Sequence, residues 1–93
     1  MKEYIAIDIA NKINEIAKDD GVSALANYKP EMMQPRNMKC IDIELRYKDY
    51  FIVERLNTLM NINDEDVDGV VRGLLVSLFN DYFASKLNAV NKQ

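Results

Sequence analysis

The last third of the chain sets the tightest limit on what it can fold into. From Asp64 to about Ala89 the residues keep a helical phase, with Val67, Val70, Val71, Leu74, Leu78 and Tyr82 on one stripe. A helix of that length spans roughly 40 Å. A chain of 93 residues packs to a diameter of about 32 Å, so the rod overhangs its own domain. It is also apolar on a second face, where Val76, Phe79, Phe83, Leu87 and Val90 recur at spacings of three and four. Burying those side chains is worth roughly 7–15 kcal/mol, at 1.5–3 each. That much apolar surface is rarely left in water. Two covers are open to it. One is an isoleucine-rich helix near the N-terminus; the other is a second copy of the chain, with Gly69, Gly73 and Ser77 admitting close backbone approach. The first helix reaches only part of so long a rod. The mismatch therefore favours a homodimer through Val76, Phe79, Phe83, Leu87, Gly69 and Gly73.

The start of this helix, INDEDVDG at 62–69, carries four acids in five positions. Asp64, Asp66, Asp68 and Gly69 match the first half of an EF-hand calcium loop, but the twelfth position, which needs a bidentate carboxylate, is Leu75. A helix start uses every residue instead. Asn63 is the N-cap, Asp64, Glu65 and Asp66 fill the first turn where the macrodipole favours anions, and Ile62 with Val67 forms a hydrophobic staple.

Upstream, Ile5, Ile9, Ile13 and Ile16, with Ala6, Ala10 and Ala17, predict an amphipathic helix over 3–19, and Asp8, Lys12 and Glu15 lie on its opposite side. Gly21 suits a left-handed C-terminal cap. Residues 22–38 lack a sustained period and contain Pro30 and Pro35, which predicts a linker with at most one helical turn over Ser23–Tyr28. Met32, Met33 and Met38 are gap-fillers over the core or adaptable contacts for a partner. Over 40–46 the period becomes two, a half-buried strand with Ile41, Ile43 and Leu45 on one side. Over 49–61 the stripe Ile52, Val53, Leu56, Leu59, Met60 predicts a helix. A hairpin strand at 50–56 is the rival reading, set against the absence of glycine or asparagine from Lys48-Asp49. The expected fold is mainly α with a minor β part. It is a single domain with an N-terminal amphipathic helix, one short strand or a hairpin, and two further helices, the last one long.

Composition narrows the function. There is no histidine and no tryptophan, which removes the commonest general base and transition-metal ligand. With one cysteine, Cys40, and no imidazole, no catalytic, cofactor-binding or metal-ligating set can be assembled from familiar spacings, and an enzyme is not expected. No apolar stretch is long enough to span a membrane, and the N-terminus lacks the features of a signal peptide, so a cytoplasmic protein is expected. Residues 42–81 carry nine acids against four bases, a balance of −5, which disfavours nucleic acid as a partner.

Residues 40–86 resemble the ribbon-helix-helix family in pattern: the alternating strand CIDIELR, a three-turn helix over DYFIVERLNTLMN, a tight connection at INDE, and a second helix rich in valine and leucine. The resemblance implies a dimer whose paired strands read DNA through Cys40, Asp42, Glu44 and Arg46, and hence a transcriptional regulator. Two of those four are acids facing a polyanion. The leading expectation is therefore a small acidic regulator that binds and modulates another macromolecule, as inhibitors of nucleic-acid-binding proteins carried by phages and mobile elements do. Its partner-binding residues are expected among Asp42, Glu44, Arg46, Tyr47, Tyr50, Phe51, Asp64, Glu65 and Asp68.

Overall fold

Isoleucines four residues apart, with alanines beside them, bury one side of the first helix, and that side decides where everything else packs. A computed structural model describes residues 1–29 and 38–91. Helix α1 (Glu3–Ala17) is followed by strands β1 (Val22–Lys29), β2 (Cys40–Tyr47) and β3 (Tyr50–Asn57), then by helix α2 (Val67–Asn91). The strands form one antiparallel sheet in the order β1-β2-β3. Both helices pack on the same sheet face. Ile5, Ile9 and Ile13 of α1, Val71, Leu74 and Leu78 of α2, and Ile41, Ile43 and Leu45 of β2 are all buried in one apolar cluster. Each fully buried aliphatic side chain contributes about 1.5–3 kcal/mol.

Helix α1 runs out into a short 3-10 turn, Lys18–Asp20, and ends on Gly21 with φ 87°. In that left-handed conformation a side chain would be strained. Asn14 then reaches across to β1. Its side-chain amide donates to the Ala24 carbonyl at 2.8 Å and its oxygen accepts from the Ala24 N–H at 2.9 Å. One side chain thus mimics a strand's pairing along the outer edge of the sheet and blunts that edge against other chains.

These findings correct the expected fold class. Among the described residues the chain is 55% helical and 29% strand, an α+β arrangement rather than a mainly α one. The helix expected over 49–61 is the strand β3, whose register pairs Tyr50 with Tyr47 and Leu56 with Ile41. Its period of two is masked in the sequence because the outward residues Phe51 and Val53 are as apolar as the inward Ile52 and Leu56. The linker expected from residue 22 begins as the strand β1, whose inward Ala24 and Ala26 carry too little hydrophobicity to betray alternation. Residues 30–37 of that linker, with Met32 and Met33, lie outside the described residues, and Met38 is half-buried just before β2.

The hairpin turn forms without glycine or asparagine. Lys48 takes φ 55°, a left-handed conformation costing roughly 1–2 kcal/mol for a side-chain-bearing residue. Tertiary contacts offset that cost. Tyr47 meets Phe79 and Tyr82 edge-on at centroid distances of 4.9 and 5.0 Å, and Tyr50 meets Tyr82 at 6.0 Å. The Lys48 ammonium lies 5.3 and 5.8 Å from the Tyr47 and Tyr82 rings, and Asp49 pairs with Lys86 at 3.1 Å. Helix α2 therefore holds the hairpin closed from outside it.

The start of α2 follows the expected chemistry. Asn63 and Asp66 form a reciprocal capping box around the turn Asp64–Asp66. Beyond it α2 runs unbroken for 25 residues, about 37 Å. The molecule is correspondingly elongated, 48 × 27 × 17 Å.

Replacing Asn14 by Ala is expected to lower the unfolding free energy by about 2 kcal/mol, through two lost hydrogen bonds at a half-buried strand edge. Tyr82→Ala, at the hub of the aromatic cluster, is expected to cost about 3 kcal/mol. Urea denaturation followed by circular dichroism measures both; a loss below 0.5 kcal/mol in either variant contradicts the role assigned here.

Candidate functional site

Two helices laid side by side on a sheet leave a groove between their outer flanks. Here α1 contributes Lys12 and Ile16, and α2 contributes Val71, Leu75, Val76 and Phe79, to an open groove of about 580 Å³. Asp68, Arg72 and Asn80 complete its polar rim. Ile16 belongs by sequence to the buried stripe of α1, yet it is 52% exposed. It sits at the last turn, where the stripe has rotated off the sheet and onto the groove wall.

At one end the groove opens into a second depression of about 380 Å³, lined by Asp8, Asn11, Lys12 and Glu15 of α1 and by Asp64, Val67 and Asp68 at the start of α2. Four carboxylates and one basic residue, Lys12, thus line it. Lys12 spans the two helices, 3.9 Å from Asp68. Asp64 accepts hydrogen bonds from the Tyr4 hydroxyl at 2.9 and 3.0 Å; that bond, ahead of burial and the negative charge nearby, raises the Tyr4 pKa above its ordinary value. Of the acids at 64–68, Asp64 is engaged by Tyr4, Asp66 by the Asn63 N–H and Asp68 by Lys12, and Glu65 is exposed. Among the described residues no three His, Cys, Asp or Glu side chains are grouped to hold a metal ion.

The residues expected to bind a partner are thereby divided among three places. Asp64 and Asp68 line the acidic depression and Glu65 lies beside them in sequence. Tyr47 and Tyr50 face the helices and pack on Tyr82. Asp42, Glu44, Arg46 and Phe51 lie on the opposite, outward face of the sheet, where Arg46 stacks over Phe51 at 4.9 Å. That face also exposes Leu25 and Val53. Asp42 is only 3% exposed and is held by Arg55 through a bidentate contact at 2.7 and 3.0 Å. The hydrogen-bonded guanidinium keeps the Asp42 carboxyl below its ordinary pKa, against burial, which pushes the other way. Asp42 is thus a structural anion. Glu44 accepts a hydrogen bond from Asn27 at 2.8 Å.

Reading the residues one element at a time missed Asp8, Glu15 and Ile16 as site residues. Asp8 and Glu15 are seven apart and so share a side of α1, which was legible; that α2 brings two more acids to that side was not. The residues expected at a dimer interface also separate. Val76, Phe83 and Leu87 are 53, 61 and 61% exposed, and neither Gly69 nor Gly73 has a neighbour within 4 Å of where a Cβ would stand. Phe79 turns inward onto Tyr47. For the ribbon-helix-helix resemblance, the segment matched to its first helix is β3, and both edges of β2 are paired within the chain.

Comparison with protein families, with curated proteins and with solved structures finds no match. No described helix is long and apolar enough to cross a membrane.

Arg55→Ala is expected to destabilise the fold by about 2 kcal/mol by leaving Asp42 buried without its guanidinium, less than for a fully enclosed pair because Arg55 is half-exposed. Because the folded-state pKa of Asp42 lies below its ordinary value of 3.8, the stabilisation from the pair is complete above that value. It is lost as pH falls through the lower, folded-state value. Denaturation midpoints taken from neutral pH downward should therefore fall more steeply below pH 4 in the wild type than in Asp42→Asn. Parallel curves contradict the assignment.

Proposed function

We propose that this chain is a small, acidic, non-enzymatic interaction protein that docks a basic, amphipathic segment of another macromolecule. The observation that carries the reading is the junction of the acidic depression with the apolar groove. Asp8, Glu15, Asp64 and Asp68 surround the first, Ile16, Leu75, Val76 and Phe79 line the second, and Lys12 and Asp68 belong to both. Such a surface offers burial to an apolar side chain and, next to it, partners for lysine or arginine. Side chains of that mixed type serve as anchors in protein interfaces. Arginine matches a carboxylate with two parallel hydrogen bonds.

The basic surfaces that carboxylates fit best are those built for phosphate. A regulator that occupies the phosphate sites of a nucleic-acid-binding protein, and so competes with its substrate, is the form of the reading we favour. Direct binding to nucleic acid is opposed by the net charge of −3 and by the carboxylates of the depression themselves. The setting we propose is a reducing cytoplasm, on the single cysteine of the chain.

Two baits test this, the wild type and the triple variant Asp8→Lys, Glu15→Lys, Asp64→Lys, all three sites being exposed. Partners captured by the wild type are expected to be basic, to be released as salt rises above about 0.5 M, and to be absent from the variant. Partners retained equally by both baits, or held undiminished in 1 M salt, would sink the charge-led mode of binding.

A further inference from the structure

The face of α2 directly opposite its core stripe carries a strict heptad seam. Gly73, Val76, Asn80, Phe83, Leu87 and Val90 follow one another at spacings of three and four residues, the repeat that keeps one line of a helix facing a partner helix. Val76, Phe83, Leu87 and Val90 are each 53–64% exposed. The core-facing residues Val71, Leu74, Leu78 and Tyr82 lie on the other side and are buried, so the seam is available without disturbing the fold.

We infer that this seam is covered by α2 of a second copy of the chain, in antiparallel orientation. Residue size selects the orientation. A parallel pair stacks each residue on itself, setting Gly73 against Gly73 and leaving a void at one end, with Phe83 against Phe83 forcing the helices apart further on. The antiparallel pair with its twofold axis between Asp81 and Tyr82 places Gly73 opposite Val90, Val76 opposite Leu87 and Asn80 opposite Phe83. Small then meets large at every layer. The positions beside the seam bring Ser77 towards Ala84, which allows close approach, and Phe79 towards Lys86, with no like-charged pair. Charge selects the same orientation. It carries the acidic starts of the two helices, with Asp64, Glu65 and Asp68, to opposite ends, and it opposes the helix dipoles. A parallel pair would place both acidic ends together.

The strip from Gly73 to Val90 is about 27 Å long and about 10–12 Å wide. That footprint, about 300 Å² per copy, is below the area of stable specific interfaces, so the dimer is weak and reversible, with a dissociation constant on the order of 10 µM. Asn80 limits it further, since a polar residue in a seam costs stability while fixing register. Val76 and Asn80 also border the groove between α1 and α2, so the second copy's helix lies alongside that groove. The pairing shares no residue with the acidic depression and shares Val76 and Asn80 with the apolar groove, so it is tested on Phe83 and Leu87, which belong to neither.

Sedimentation equilibrium from about 1 to 500 µM tests it. The wild type is expected to pass from monomer to dimer within that range. Phe83→Glu with Leu87→Glu is expected to weaken association at least about a hundredfold while leaving the circular dichroism spectrum unchanged, and Asn80→Leu to tighten it about tenfold. A wild type still monomeric at about 500 µM, or a dimer that the double variant leaves intact, overturns the proposal. Orientation is read by cross-linking: Val76→Cys mixed with Leu87→Cys should form a disulfide, whereas self-linking of Leu87→Cys alone would overturn the antiparallel register.

Discussion

The structure depends on a single strand serving two helices at once. On one side of β2, Ile41, Ile43 and Leu45 are buried beneath α1 and α2, and β1 and β3 are paired along its two edges. The outer strands are then secured from the helix layer. Asn14 bonds both backbone groups of Ala24 on β1, and Tyr82 packs on both ends of the β2–β3 turn. Because both helices occupy one sheet face, three surfaces follow of necessity: a groove between the helices, an outer sheet face, and an outer side of α2. The strands are eight residues long, about 27 Å, so the far end of α2 runs beyond the sheet. Every residue from Phe83 to Val90 is exposed.

The carboxylates show how the same group takes different roles in different surroundings. Asp66 closes a capping box with Asn63, where the alternative is an unsatisfied N–H at a helix start. Asp42 is enclosed and neutralised by Arg55, where the alternative is an uncompensated buried charge. Asp8, Glu15, Asp64 and Asp68 remain exposed along one depression that Lys12 also lines. That last group lies beside the apolar groove, which is why the proposed partner is basic and amphipathic and why the outer sheet face is not assigned to it.

Much of the helical part was legible. The isoleucine stripe of α1, the glycine that ends the segment after it, the Asn63 cap and the continuity of α2 all rest on interactions between residues a few positions apart. The errors have a common cause. Residues 50–57 satisfy a helical stripe and a strand alternation together, since Phe51, Ile52 and Val53 are all apolar, and a short apolar run does not separate the two. Turn chemistry argued against the hairpin, because Lys48 is a poor left-handed residue. Phe79, Tyr82 and Lys86, more than thirty positions away, supply the contacts that hold the turn in place. Strand β1 was hidden for a related reason: Ala24 and Ala26 are small where α1 passes close, and smallness is not a signal that local pattern reading detects.

By itself, then, the sequence determined an acidic chain without histidine, a long terminal helix with a capped start, and two apolar faces on that helix. These follow from composition and from the helical repeat, which are local. Only the tertiary structure decided that residues 50–57 extend as a strand, that Asp42 is an internal ion-pair partner rather than a surface contact, and that Asp8 and Glu15 face Asp64 and Asp68. Each of those outcomes is fixed by side chains brought together across the sheet or between the helices. Their energies exceed the small local preferences that a one-dimensional reading can weigh.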